Sequence, residues 1–307
     1  MGAEHGSADR GGLHLGIDVG GTKVLACDVD EAGTVLRSTR RDTPGRHADP
    51  RLLDDAVTSA VEELADGRDL VAVGLSVAGL VDHDWVHFST HLPWQEDDTL
   101  ARLAARWGVP VVMDNDVACA AVAEIAYGAG RGGESFLLVT VGTGIGGAIV
   151  HAGTVLRGAH GMAGEFGHVR VVPEGHACEC GLRGCLEQYA SGNALVRLAG
   201  PGYADGPAVT AAAIAGDTAA LQALASVGDW LGVGLGGLVS SYDPELVVIG
   251  GGVSEAGDLL LEPARRAMAR SVVGSRHRPL PAVVLAQCGP AAGAVGAAHL
   301  AHTARSR

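Results

Sequence analysis

Two stretches of this chain run from an apolar strand through a glycine turn into a second strand: LHLGIDVGGTKVLACDVD from Leu13, and SFLLVTVGTGIGGAIV from Ser135. Short apolar runs bounded by glycine read as buried strands, so each stretch predicts a hairpin that opens an α/β domain. Aligning Ile17-Asp18-Val19-Gly20-Gly21 with Val139-Thr140-Val141-Gly142-Thr143 hints at duplicated halves, although any apolar strand before a glycine turn would match.

The remaining segments alternate. TVLRSTR predicts a third strand, and an Asp-Pro start with apolar residues at helical spacing predicts a helix from Asp49 to Gly67. DLVAVGLSVAG returns to strand, TLARLAARWG predicts a helix ending at Gly108, VPVVMDND a short strand, and VACAAVAEIAYGAG a helix beginning just after Asp116. A long helix over Thr218 to Tyr242, the strand ELVVIGGG, a helix near Leu259 to Ala269, the strand AVVLA and a last helix from Gly293 to Thr303 complete the chain. Such alternation means α/β. The expected division is a disordered tail over 1–12, a small α/β domain over 13–116 with the last helix (293–307) packed back on it, and a larger α/β domain over 117–292.

The 307 residues, 47% of them hydrophobic, can bury a sizeable core, and the net charge of −13 repels phosphate backbones and anionic membranes. Nucleic acid and membrane are therefore not expected partners. Glycine or charge interrupts the apolar stretches before the ~20 residues that a bilayer span requires, and MGAEHGSADRGG has neither a positive start nor an apolar signal core. A cytoplasmic location is expected, where cysteines are metal ligands or small hydrophobes more often than disulfides. The 47 glycines cluster beside apolar runs without a repeat, which excludes collagen and suggests turns that approach a ligand.

In Asp18-Val19-Gly20-Gly21-Thr22-Lys23 a strand delivers a carboxylate, and two glycines let backbone N–H groups close on an anion such as phosphate; a plain hairpin turn is the alternative. Gly142-Thr143-Gly144-Ile145-Gly146-Gly147 contains GxGxxG, but a strand follows it where a dinucleotide fingerprint requires a helix. Gly250-Gly251-Gly252 follows the strand LVVI, where bare backbone could meet a flat ring or simply turn toward a helix. Three such turns in one chain point to a divided nucleotide site.

Cys178, Cys180 and Cys185, with His168 ten residues before the first, offer three thiolates and an imidazole, the ligand set of a closed tetrahedral zinc. With all four ligands from protein, that zinc is structural. Glu165, in Gly164-Glu165-Phe166-Gly167-His168, and Glu187 flank the set; a clip joining His168 to the cysteine loop would gather both carboxylates where they could accept hydrogen bonds from sugar hydroxyls. Asp116, between a buried strand and a helix, could accept a proton from an alcohol attacking a phosphoryl group, or could serve as the helix N-cap.

Taken together, DVGGTK, VGTGIGG, GEFGH, CxCGxxGCxE and the late IGGGVS resemble the ROK family of sugar kinases and repressors, in order and spacing from about Gly16 to His299. The resemblance implies the actin-like ATPase (ribonuclease H-like) fold, two domains with ATP and a sugar in the cleft between them. It implies transfer of the ATP γ-phosphate to the 6-hydroxyl of a hexose, glucose by default, with Asp116 as general base and Asn115 beside it on the sugar. Asp18 would assist Mg2+; Gly20, Gly21, Thr22 and Lys23, with Gly142, Thr143 and Gly144, would hold the phosphates; Gly251 and Gly252 would meet the adenosine. Glu165, His168 and Glu187 would bind sugar hydroxyls, His168 also holding zinc with Cys178, Cys180 and Cys185. Relatives of this kind are homodimers or homotetramers.

Three departures limit the carry-over. Asn115-Asp116-Val117-Ala118 keeps the base of the usual NDAN but loses its second Asn. Ser76-Val77-Ala78-Gly79 stands where Pro-Gly-Pro is common, and His91-Leu92-Pro93-Trp94 where Asn-Leu-Pro is common. Ser76 and His91 thus mark either a sugar other than glucose, such as glucosamine, kanosamine, N-acetylglucosamine or N-acetylmannosamine, or loop variation. A sugar-responsive repressor is the expectation from a different class, disfavoured by the acidic charge and by only about fifteen residues before the first strand, fewer than a helix-turn-helix needs. Polyphosphate is an alternative donor to ATP.

Overall fold

The computed structural model describes residues 12–304 apart from His83 and Asp97, so all but Gly12 of the expected tail lies outside the described residues. The chain forms two compact units, one running up to Cys119 and resuming at Gly293, the other Ala120–Ala292. The division falls inside a helix rather than at its start, where the sequence placed it.

In the first unit the opening hairpin is β1 (Leu13–Val19) and β2 (Lys23–Val29), followed by β3 (Val35–Asp42) and α1 (Pro50–Ala65). The Asp49 side chain caps α1 by accepting the Arg51 N–H; at the other end Asp66 takes the left-handed conformation (φ 44°) and donates its N–H to the Glu62 carbonyl, one residue before the expected stop at Gly67. Then come β4 (Leu70–Val77), a small hairpin of β5 (Leu80–Val81) and β6 (Val86–Phe88) that the sequence did not signal, α2 (Thr99–Trp107), β7 (Val111–Asn115) and α3 (Asp116–Tyr127). The sheet order is β3-β2-β1-β4-β7, with β1, β4 and β7 parallel and β1, β2 and β3 antiparallel. Leu15, Ile17, Val73 and Leu75 bury one core with Leu53 and Val57 of α1. Trp94 is sealed into it, its indole N–H donating to Asp54 at 3.0 Å while Arg102 donates to the same carboxylate at 2.8 Å.

The C-terminal helix, Ala292–Ala304, lies directly on this sheet, because β1 and β4 carry glycine where it crosses. A Cβ at Gly16 would collide with the Ala294 carbonyl, and one at Gly74 with that of Ala297.

The second unit repeats the plan with β8 (Phe136–Val141), β9 (Ile145–His151), β10 (Thr154–Val155), β11 (Leu246–Gly250) and β12 (Ala282–Leu285), ordered β10-β9-β8-β11-β12. Again the first three strands pair antiparallel and the last two continue parallel. The hint of duplication in the two hairpins is thus an architectural fact. Between strands lie α4 (Glu187–Ala190), α5 (Gly192–Ala199), α6 (Gly206–Ile214), α7 (Thr218–Tyr242) and α8 (Asp258–Ser271).

α7 spans the residues expected for it and corrects one expectation, that glycine or charge breaks every apolar stretch short of a membrane span. Its 25 residues, with mean hydropathy 1.3 over 18 of them, are long and apolar enough to cross a membrane, yet most of that window is buried within the unit. Gly228, Gly232 and Gly236 recur every fourth residue on one face, and a Cβ on them would strike Pro263, Ala267 and Ser271 of α8. The glycines let two helix backbones approach closely, at a propensity cost of about 1 kcal/mol each relative to Ala.

Candidate active site

The first unit brings its polar candidates to the carboxyl ends of its parallel strands, where α/β sheets bind ligands. Asp18, Ser76 and Asp114 stand in one register row across β1, β4 and β7. Ser76 is fully buried and its hydroxyl donates to Asp18 Oδ1 at 2.6 Å. Burial pushes the Asp18 carboxyl above its ordinary value, opposed by the Ser76 bond and the Lys23 charge. The turn beyond is closed by Gly20 N–H donating to the Lys23 carbonyl at 3.0 Å, and is tied down by Thr43, whose hydroxyl donates to the Gly20 carbonyl at 2.6 Å. Sequence reasoning missed Thr43, which carries no motif.

His91 reaches this turn as well: a Cβ on Gly21 would come within 2.6 Å of His91 Cβ. Ser76 and His91, expected to border the sugar, are thus placed beside Asp18 and over the glycine turn.

Asn115 ends β7 and opens α3. Its Oδ1 accepts the N–H groups of Val117 (2.9 Å) and Ala118 (3.1 Å), and its Nδ2 donates to the Gly79 carbonyl at 3.0 Å. The N-cap considered for Asp116 is therefore Asn115, and Asp116 sits one residue on, as the first residue of α3, with Oδ1 3.0 Å from the Val117 N–H.

In the second unit the glycines fall into two kinds. At Gly144 a Cβ would run into the Glu187 carboxylate, and at Gly251 (φ 83°) it would lie 2.5 Å from the Val141 carbonyl oxygen. Packing against backbone requires glycine at Gly251, whereas at Gly144 it keeps the Glu187 carboxylate in place. At Gly142 and Gly252 a Cβ would meet no atom within 4 Å, so bare backbone there leaves room for a ligand.

Glu187 reaches into the Gly142 turn, its Oε2 accepting the Ile145 N–H at 2.9 Å. GEFGH is anchored by its middle: Phe166 is buried in the second core with its ring against Gly147, and this presents Glu165 and His168. Desolvation raises the Glu165 carboxyl, opposed by His168 and reinforced by Glu187.

The ligand atoms of His168, Cys178, Cys180 and Cys185 all lie within 4.8 Å of one another. Cys180 Sγ is 3.6 Å from Cys185 Sγ, and Cys178 Sγ 3.7 Å from His168 Nδ1. A tetrahedron with ~2.3 Å metal–sulfur and ~2.0 Å metal–nitrogen bonds has edges of about 3.5–3.8 Å, so the four residues fit zinc. With Nδ1 turned to the thiols, His168 Nε2 lies 3.8 Å from Glu165 Oε2, as an outer carboxylate stands to a ligating imidazole.

A buried acid escaped the sequence altogether. Glu124 in α3 is fully buried and accepts backbone N–H groups of Ala129, Gln287 and Cys288 at 2.6, 2.9 and 2.8 Å, tying α3 to the segment after β12. A lone Glu in an alanine-rich helix gives no signal of two donors more than 150 residues away.

The chain is similar to known proteins over nearly its whole length. The pattern of the ROK family matches residues 14–304. A glucokinase of Streptomyces coelicolor is 40% identical over 94% of this chain and 98% of its own length, and an N-acetylgalactosamine kinase of a Shewanella species 32% identical over 94% and 97%. The crystal structure of a ROK family glucokinase from Streptomyces griseus, in complex with glucose and AMPPNP, superposes with a TM-score of 0.87 at 40% identity, covering 95% of this chain and all of that one. This mixed α/β chain has the actin-like ATPase fold and belongs to the ROK family.

Proposed function

We propose that this chain is an ATP-dependent hexose kinase that phosphorylates the 6-hydroxyl of glucose. The observation that carries it is the near full-length likeness, at 40% identity, to a glucokinase whose structure holds glucose and an ATP analogue. Asp116 is the general base, taking the hydroxyl proton as the sugar oxygen attacks the γ-phosphorus. Asn115 positions it by capping α3 and holding Gly79. Asp18 and the Gly20–Lys23 turn receive Mg·ATP, with Gly142, Thr143 and Gly144 on the phosphates and Gly252 against the adenosine. Glu165, His168 and Glu187 bind sugar hydroxyls. Phosphoryl transfer asks the protein for positioning and charge neutralisation more than for covalent chemistry.

Zinc, when bound by His168, Cys178, Cys180 and Cys185, supplies a structural clamp that fixes the loop carrying Glu165. A cytoplasmic location and a homodimeric or homotetrameric assembly belong to the same proposal. Glucose is preferred over an amino hexose because the relatives at 40% identity are glucokinases and because Ser76, one of the two departures that raised the alternative, gives its hydroxyl proton to Asp18.

The test is ADP release from Mg·ATP against glucose, mannose, glucosamine, kanosamine, N-acetylglucosamine, N-acetylmannosamine and N-acetylgalactosamine, with Asp116→Asn as the blank and polyphosphate as a second donor. Turnover highest on glucose and absent from the blank is expected; a higher kcat/KM on an amino hexose overturns the choice of sugar, and silence on every sugar overturns the kinase.

A further inference from the structure

We propose that Ser76 is a positioning residue for the nucleotide side of the reaction: its hydroxyl anchors one oxygen of Asp18 and so orients the other toward Mg·ATP. The proposal rests on the role assigned to Asp18 above. Ser76 sits directly beside Asp18 in the parallel register of β4 and β1, fully buried, with its Oγ 2.6 Å from Asp18 Oδ1. That distance belongs to hydrogen bonds of hydroxyl to carboxylate, which are about twice as strong as neutral ones. A serine hydroxyl has one proton to give. Given to Asp18, it is not available to a sugar hydroxyl.

The pair is closed from the far side by the start of the C-terminal helix. A Cβ at Gly293 would stand 2.7 Å from Ser76 Oγ and 2.8 Å from Asp18 Oδ1, so a methyl group there would press on the pair. Beside Gly293 and buried in its own strand, Ser76 directs its hydroxyl to Asp18. An Asp at the end of a strand has two rotatable bonds before its carboxylate, and this bond removes that freedom before substrate arrives, the way preorganisation raises affinity. Ser76 thus acts on the phosphates rather than on the sugar.

The experiment measures binding of the Mg-bound non-hydrolysable ATP analogue and of glucose separately, by calorimetry, in the wild type, Ser76→Ala, Ser76→Thr and Asp18→Asn, with the melting temperature of each. Ser76→Ala is expected to weaken nucleotide binding about tenfold, as loss of a hydrogen bond to a charged group does, with glucose binding and the ratios of kcat/KM among sugars unchanged. Ser76→Thr, which keeps the hydroxyl, is expected to restore nucleotide binding. Equal losses in Ala and Thr variants, or a shifted sugar preference in Ser76→Ala, overturn the proposal. Weakened binding in Asp18→Asn beside intact binding in Ser76→Ala overturns the role of Ser76 alone, whereas intact nucleotide binding in Asp18→Asn removes the role of Asp18 on which it rests.

Discussion

The two five-stranded sheets share one strand order and one pattern of pairing, yet they present different chemistry at the same place. Just before the first turn of each, the first unit carries Asp18 in register with Ser76, and the second carries Thr140 in register with Gly250. One sheet end is lined with carboxylates and a hydroxyl donor; the other is small, with open backbone at Gly142 and Gly252. A common topology decides where a ligand can be met, and the side chains decide whether the sheet meets it with charge or with space. Under the proposed function the difference gives proton and metal-phosphate chemistry to the first unit and shape to the second, whose carboxylates Glu165 and Glu187 stand outside its sheet, Glu187 at the start of α4.

The largest effect that can break this division is at Asp116. Asp116→Asn is expected to lower kcat about a thousandfold with sugar binding retained, within the range of lost general-base catalysis. Thr143→Ala in the second turn is expected to change KM for ATP by a few-fold at most, because the backbone does the holding. Steady-state kinetics with binding measured apart checks both, and comparable losses in kcat would erase the contrast.

Next comes packing. Gly74→Ala drives a methyl group into the Ala297 carbonyl and is expected to cost about 3 kcal/mol or more. Gly250→Ala meets only Ala286 Cβ at 3.3 Å and Thr140 Cγ2 at 3.8 Å, and is expected to cost under about 1 kcal/mol. Urea unfolding of the two variants compares how closely each sheet is covered at these points.

The four candidate zinc ligands lie in the second unit. Metal analysis is expected to find zinc in stoichiometric amount, and chelation or Cys185→Ser to raise KM for the sugar about tenfold by loosening Glu165 and His168, with KM for ATP held. Protein purified without chelator and free of zinc would remove the site.

The smallest effect is alkaline. Burial, with the Asp18 charge, pushes the Cys27 thiol up to about 11, and burial with Glu124 pushes Cys288 up to about 12, both from 9.0. Since the folded values lie above the unfolded one, the stability these thiols contribute is whole below pH 9 and is lost as pH rises through 11 and 12. Melting temperature against pH should therefore fall in that window, and Cys27→Ala and Cys288→Ala should each flatten it. Neither thiol should react with iodoacetamide at neutral pH, whereas the exposed Cys180 should react once metal is stripped.

Much of the architecture was legible because its signals are local. Apolar runs ending in glycine marked β1, β2, β8 and β9, and Gly108 marked the end of α2, where it takes φ 68°. Other boundaries depended on local competition: α1 ends on Asp66 because an aspartate tolerates the left-handed conformation well enough to stop the helix one residue early. The helix expected over Thr218 to Tyr242 forms over those residues, and what its pattern did not show is that the glycines are contact points, since what a glycine does in a helix depends on the neighbour it faces.

By itself the sequence determined the family, the strand–turn–strand hairpins, and the four residues fit for zinc. Each rests on residue types at short fixed spacing, which survives without knowledge of the fold. Only the tertiary structure decided that Ser76 bonds Asp18 across 58 residues of chain, that His91 lies over Gly21, and that Glu124 gathers backbone donors more than 150 residues away. It also separated glycines that packing requires from those that leave room. These are properties of register and close approach between distant segments, and a hydroxyl or a carboxylate carries in its own neighbourhood no trace of the partner that folding brings to it.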